Sequence, residues 1–180
     1  TMIKKITITI LSLLIFISAS TSYACNFRIL NFGDSAEKLN VVSIFPSVPD
    51  QFKGQEIITP LDLICENEKK LFGSNLAFFF VEDKLVQIRI IRVNMGDKNL
   101  MNFASKIYGP IKIPENIRLE DWTGVHSWKN DKEYINYVSH IEKKEQFSDK
   151  IEVLQLISKK YQDIFIKYNL EKEKWIDSQN

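Results

Sequence analysis

Leu30-Asn31-Phe32-Gly33-Asp34 and Val93-Asn94-Met95-Gly96-Asp97, sixty-three residues apart, present one pattern twice. In each, apolar residues read as the end of a strand, Gly permits an unusual backbone turn, and Asp is placed to cap a following helix by accepting from its first free amides. Glu37, three residues after Asp34, adds the spacing of a capping box. After Asp97 the residues Leu100, Phe103, Ala104 and Ile107 recur on one helical face, and Gly109-Pro110 supplies the stop. After Asp34 the expected helix turns Leu39, Val42 and Phe45 inward and ends at Pro46.

Three strand-like stretches follow each helix. In the first half they are 57–65, interrupted by Pro60, then 76–81 and 85–93, the last two joined by a tight turn at Glu82-Asp83-Lys84. In the second half they are 124–128, 133–141 across an Asn130-Asp131 turn, and 151–158. The stretch from 151 to 168 also satisfies a helical period through Leu154, Ile157, Tyr161, Ile164 and Tyr168. The repeat assigns it as strand to Ser158 and helix beyond. Residues 76–81 are apolar on both faces, as in a central strand covered on each side. The doubled Ile90-Ile91 breaks the alternation of 85–93 and suggests a bulge between Arg89 and Arg92, both expected as surface arginines on the strand. The expectation is an α+β fold: two helix-plus-three-strand units, 25–95 and 96–160, forming one antiparallel sheet with helices packed on one face, and a C-terminal helix or tail at 161–180. Together 25–180 form a single globular domain.

The first 24 residues read differently. Lys4 and Lys5 precede an apolar and hydroxyl run from 6 to 17, and small residues follow to Ala24, the order of a secretory signal peptide. The run is shorter than the roughly 20 residues a bilayer span needs, so release into the periplasm or medium is expected. Ser22-Tyr23-Ala24 places the cut before Cys25. A lipid on Cys25 is the alternative, disfavoured by Ser22, where such signals carry a Leu-like residue. The two cysteines, Cys25 and Cys65, are an even pair in an oxidising compartment and point to one structural disulfide. Without Lys4 and Lys5 the chain carries 22 basic against 23 acidic residues, interspersed, a balance that gives no footprint for nucleic acid.

Tandem helix-plus-three-strand units that open on a Gly-plus-capping turn (Gly33-Asp34-Ser35, Gly96-Asp97) and close a helix before Gly109-Pro110 resemble the β-lactamase inhibitor protein fold and the related small outer-membrane assembly lipoproteins. The resemblance covers most of 26–158 at the level of pattern. It implies a sheet that grips another protein and assigns no contact residue.

Candidate chemistry is sparse. His126 and His140 are the only side chains that ordinarily titrate near neutral pH. A hairpin pairing His126 with Ile135 would put the two imidazoles on opposite faces, which disfavours a shared metal site. Glu120 and Asp121 read as solvated loop acids, and no phosphate-binding loop, nucleophile elbow or zinc-helix motif occurs. Trp122, His126 and Trp128 share one parity and, with Tyr137 across the hairpin, form either an aromatic interface or part of the core. The expected function is a non-enzymatic module binding a protein partner in the periplasm or envelope, with no cofactor and no metal. The alternative is a small-ligand or lipid carrier, or a hydrolase, with a pocket between sheet and helices.

Overall fold

The computed structural model of the chain describes residues 25–45, 47–145 and 147–179; the expected signal peptide, 1–24, and Pro46 lie outside them. The described chain is an α+β fold of six strands and two α-helices. These are β1 (Gly54–Pro60), β2 (Asn75–Val81), β3 (Lys84–Val93), α1 (Asn99–Tyr108), β4 (Gly124–Trp128), β5 (Glu133–Lys143), β6 (Ser148–Ser158) and α2 (Gln162–Asp177). All six strands join one antiparallel sheet in the order β1-β2-β3-β6-β5-β4. The β2–β3 turn holds Glu82 and Asp83 at φ 50° and 57°, left-handed at both central positions as a type I′ hairpin requires.

Period-two alternation decides what each face buries. Leu76, Phe78 and Phe80 of β2 point to one face with Ile88 and Ile90 of β3, Leu154 and Leu156 of β6 and Ile135 of β5. Helix α1 lays Leu100, Met101, Phe103 and Ala104 on that surface. The N-terminal segment closes it, with the Phe27 ring edge-on to Phe103 at 6.0 Å. A Cys25–Cys65 disulfide, Cα atoms 5.0 Å apart, ties that segment to the turn after β1. The opposite face is covered only at the β1–β3 end. There α2 packs Ile164, Phe165 and Tyr168 against Phe79, Val81 and Val86, with Phe79 ring centroids 5.8 Å from Phe165 and 5.2 Å from Tyr168. Gly54 makes this approach possible, because a Cβ there would stand 2.2 Å from the Tyr168 ring.

Several expectations are corrected. The helices pack on opposite faces, not one, and β2 is apolar on both sides because each of its faces is roofed. The first expected helix is only a 3₁₀ turn, Ala36–Lys38. Val41, Val42 and Ile44 are β-branched and resist helix, and Val42 and Phe45, expected inward, are 71% and 62% exposed. Asp34 is therefore no helix cap: its carboxylate accepts from the Asn31 amide at 2.8 Å and closes its own turn. Asp97 does act at a helix start, accepting from the Asn99 amide at 3.0 Å. The strand irregularity lies between Phe79 and Phe80, where Val86 is the extra residue, and not at Ile90-Ile91. The β4–β5 register is two residues off the expected one, His126 facing Tyr137.

Candidate functional site

The four aromatic residues read as a candidate interface are divided by the fold. Trp122 and Tyr137 stack at 6.0 Å with planes 18° apart and are 8% and 0% exposed, so they are core and not contact surface. The cause is α1, which roofs their face. His126 and Trp128 lie on β4, the last strand of the sheet, half-buried and edge-to-face at 4.7 Å. Trp128 donates its indole N–H to the Gly109 carbonyl at 3.0 Å and rests against Tyr108. His140 is on the opposite face from His126, as their parity demands.

Sequence reading missed a buried polar cluster behind these aromatics. Arg92, 2% exposed, points inward beside Ile88 and Ile90 instead of solvating the strand. Its guanidinium donates to both Asp97 oxygens at 2.8 and 3.1 Å and to the Ser74 hydroxyl at 3.0 Å, and its Nε stands 3.8 Å from Glu152. Glu152 accepts from the Tyr137 hydroxyl at 2.6 Å and from the Met101 amide at 3.3 Å, which lets a buried carboxylate serve the N-terminus of α1. Lys98 donates to the Trp122 carbonyl at 3.1 Å and to the Ser139 hydroxyl. Burial pushes the Glu152 carboxyl above its ordinary value and the Lys98 ammonium below its own. Burial and the neighbouring carboxylate both raise the Tyr137 phenol.

A carboxyl, an amine and a phenol with displaced pKa values are the ingredients of acid–base chemistry. Here they are sealed: the hollow beside Arg92, Lys98 and Glu152 is about 10 Å³, the scale of one water. The cluster fixes β3, β6, β5 and α1 against one another. The only signal for it in the sequence was the parity of Arg92, which shares its face with Ile88 and Ile90.

The uncovered part of the sheet is a different surface. Beyond the reach of α2, the register aligns Val125, Val138, Val153 and Ile91 in one row across β4, β5, β6 and β3. Val125 is 65% exposed, and the other three are half-buried. The next row is polar: Ser127, Asn136, Gln155 and Arg89. The two sheet edges also differ. The outer edge of β1 is occupied, since Ile44 N–H donates to the Ile58 carbonyl at 2.8 Å and Asp50 N–H to the Gly54 carbonyl at 2.7 Å. Along β4, among the described residues, no backbone hydrogen bond is made other than those of its ladder with β5. Also among the described residues, no helix is long and apolar enough to cross a membrane.

Comparison of the chain with protein-family models, with curated proteins and with solved structures finds no match to any of them.

Proposed function

We propose that this chain is an exported, non-enzymatic protein-binding module that takes an extended segment of a partner protein along β4. The contrast between the two sheet edges carries the reading. An unpaired edge is a template for a further strand, and β1 is blocked by the chain's own Ile44 and Asp50 while, among the described residues, β4 is not. A segment added beside β4 would extend the row that begins at Val125, placing apolar side chains against it, and would meet His126 and Trp128 on the other face. Export is supported by the Cys25–Cys65 disulfide, which persists in oxidising compartments, and by the charged, apolar, small-residue order of 1–24. We read β1–β3 and β4–β6 as two units of an inhibitor-like architecture whose first unit has lost its helix. The sealing of Glu152, Lys98 and Tyr137 supports a non-catalytic role for that cluster.

Capture of partners from envelope extract tests the reading. Val125→Asp and Ser127→Asp, both on exposed β4 positions, are expected to weaken capture about tenfold, the effect of about 1.4 kcal/mol. Val48→Asp, at an 80% exposed position away from β4, keeps it. Equal capture by all three variants, or turnover in a substrate screen with no capture at all, sinks the proposal.

A further inference from the structure

The edge of β4 is complementary to itself. When two copies of a strand pair antiparallel about a twofold axis normal to the sheet, each side chain keeps its face and meets a residue of its own parity. An axis through Val125 sets Val125 against Val125 of the second copy. The row of Ile91, Val153, Val138 and Val125 then continues through its own image to Ile91 of the second copy and stays apolar throughout. Thr123 and Ser127, both exposed, come opposite one another on either side of the axis, where hydroxyls exchange hydrogen bonds across a strand pair. On the other face Gly124, which has no side chain, comes opposite His126. Lys129, exposed and in no ion pair among the described residues, is brought toward the turn of the second copy that carries Arg118, Glu120 and Asp121 and is acidic on balance.

Neighbouring registers lack this match. An axis at Gly124 or His126 sets Val125 against Thr123 or Ser127 and cuts the row. An axis at Thr123 or Ser127 sets Val125 against Asp121 or Lys129 and puts a charge on an apolar side chain.

We infer that, when no foreign strand is present, β4 pairs antiparallel with β4 of a second copy about Val125, joining two six-stranded sheets into one. The inference rests on the reading of β4 as an open edge and names a strand that fits it. A strand as short as Gly124–Trp128 gives a small contact, at the weak end of protein interfaces. The edge is therefore free at micromolar concentration, and a foreign strand displaces the second copy.

Sedimentation equilibrium of the intact, disulfide-bonded protein tests the pairing, with Val125→Lys and Val125→Glu measured alone and mixed in equal amounts. Val125 is 65% exposed, so neither substitution disturbs the fold. The parent is expected to pass from monomer to dimer with a dissociation constant on the order of 0.1 mM. Each variant alone should dimerise about tenfold more weakly, because like charges meet. The mixture should regain the parent's affinity, because unlike charges meet only where residue 125 faces residue 125. A parent that stays monomeric at about 1 mM, tenfold above that constant, overturns the inference. So do single variants that dimerise as the parent does, or a mixture no stronger than its components. Capture of envelope partners by the same variants separates this inference from the reading it rests on. Capture that falls with the Val125 substitutions while the parent stays monomeric overturns self-pairing alone. Dimerisation as expected, with capture indifferent to the substitutions, overturns only the foreign-strand reading.

Discussion

Arg92 is the side chain on which the junction of β3 and β6 depends, because it bridges Asp97, Ser74 and Glu152 from a fully buried position. Arg92→Met keeps the volume but leaves Glu152 and the Ser74 hydroxyl without their cation and donor. We expect a loss of about 3 kcal/mol in urea unfolding, and a loss under about 0.5 kcal/mol, as for an ordinary surface position, would show that the cluster holds nothing. Glu152 gives a pH signature. Its folded-state pKa is raised by burial, so the folded protein holds that proton more tightly than the unfolded chain. The stability this adds is fully present below the ordinary carboxylate value and lost as pH rises through the raised one. Stability should therefore climb as pH falls from neutral toward the ordinary carboxylate range, and Glu152→Gln should flatten that limb. Asp50 acts with the opposite sign further into acid. Although burial works against it, bonds from Tyr168, Gly54 and Phe52 hold its carboxyl low, and that support is lost as pH falls through its depressed value. Equal slopes for parent and Glu152→Gln in urea titrations at stepped pH would contradict this account. None of the cluster was legible in composition, because a charged residue at an inward parity looks like any other strand arginine until its partners arrive from β6 and α1.

Strands and hairpins were the legible elements, helices only in part. The continuous apolar run gave 76–81, and strand-like runs gave 85–93 and 124–128, nearly to the residue, and Glu82-Asp83 tolerates the left-handed turn that joins β2 to β3. The 151–168 stretch satisfied both periods, and the chain uses both, β6 to Ser158 and α2 from Gln162. The first helix failed because its caps and spacing were counted while its β-branched run was not, and Asp34 was spent on its own turn. Which side α2 would take was not written in its periodicity. That choice rests on Phe79 and on Gly54, whose missing Cβ admits the Tyr168 ring. Gly54→Ala should unseat α2, read as a change in Trp175 fluorescence, since that ring sits 6.1 Å from Phe52; an unchanged spectrum and melting point would show the helix docks otherwise. The disulfide spans 40 residues, so replacing both cysteines by serine should cost up to about 4 kcal/mol through the freed unfolded chain. A variant pair as stable as the parent would assign the link no role in folding.

At the scale of the molecule, the core on the α1 face runs across β2, β3, β6 and β5 while α2 roofs the other face only over β2 and β3, and this leaves Val125, Val138 and Val153 of β4, β5 and β6 beyond its reach on the side away from α1. The aromatic residues that suggested an interface turned out to brace that bare surface from behind, Trp122 and Tyr137 in the core and His126 and Trp128 along the rim. Sequence could give their shared parity but not which face α1 would cover, since that depends on a junction between strands far apart in the chain. The central claim is that the β4 edge receives a strand from a partner. Hydrogen–deuterium exchange over 123–129, measured on the free protein and on the protein recovered with its envelope partner, tests it most directly. The account predicts rapid exchange of the outward amides in the free protein and clear protection in the complex, with 44–58 unchanged. Protection that leaves 123–129 untouched and appears elsewhere would contradict it.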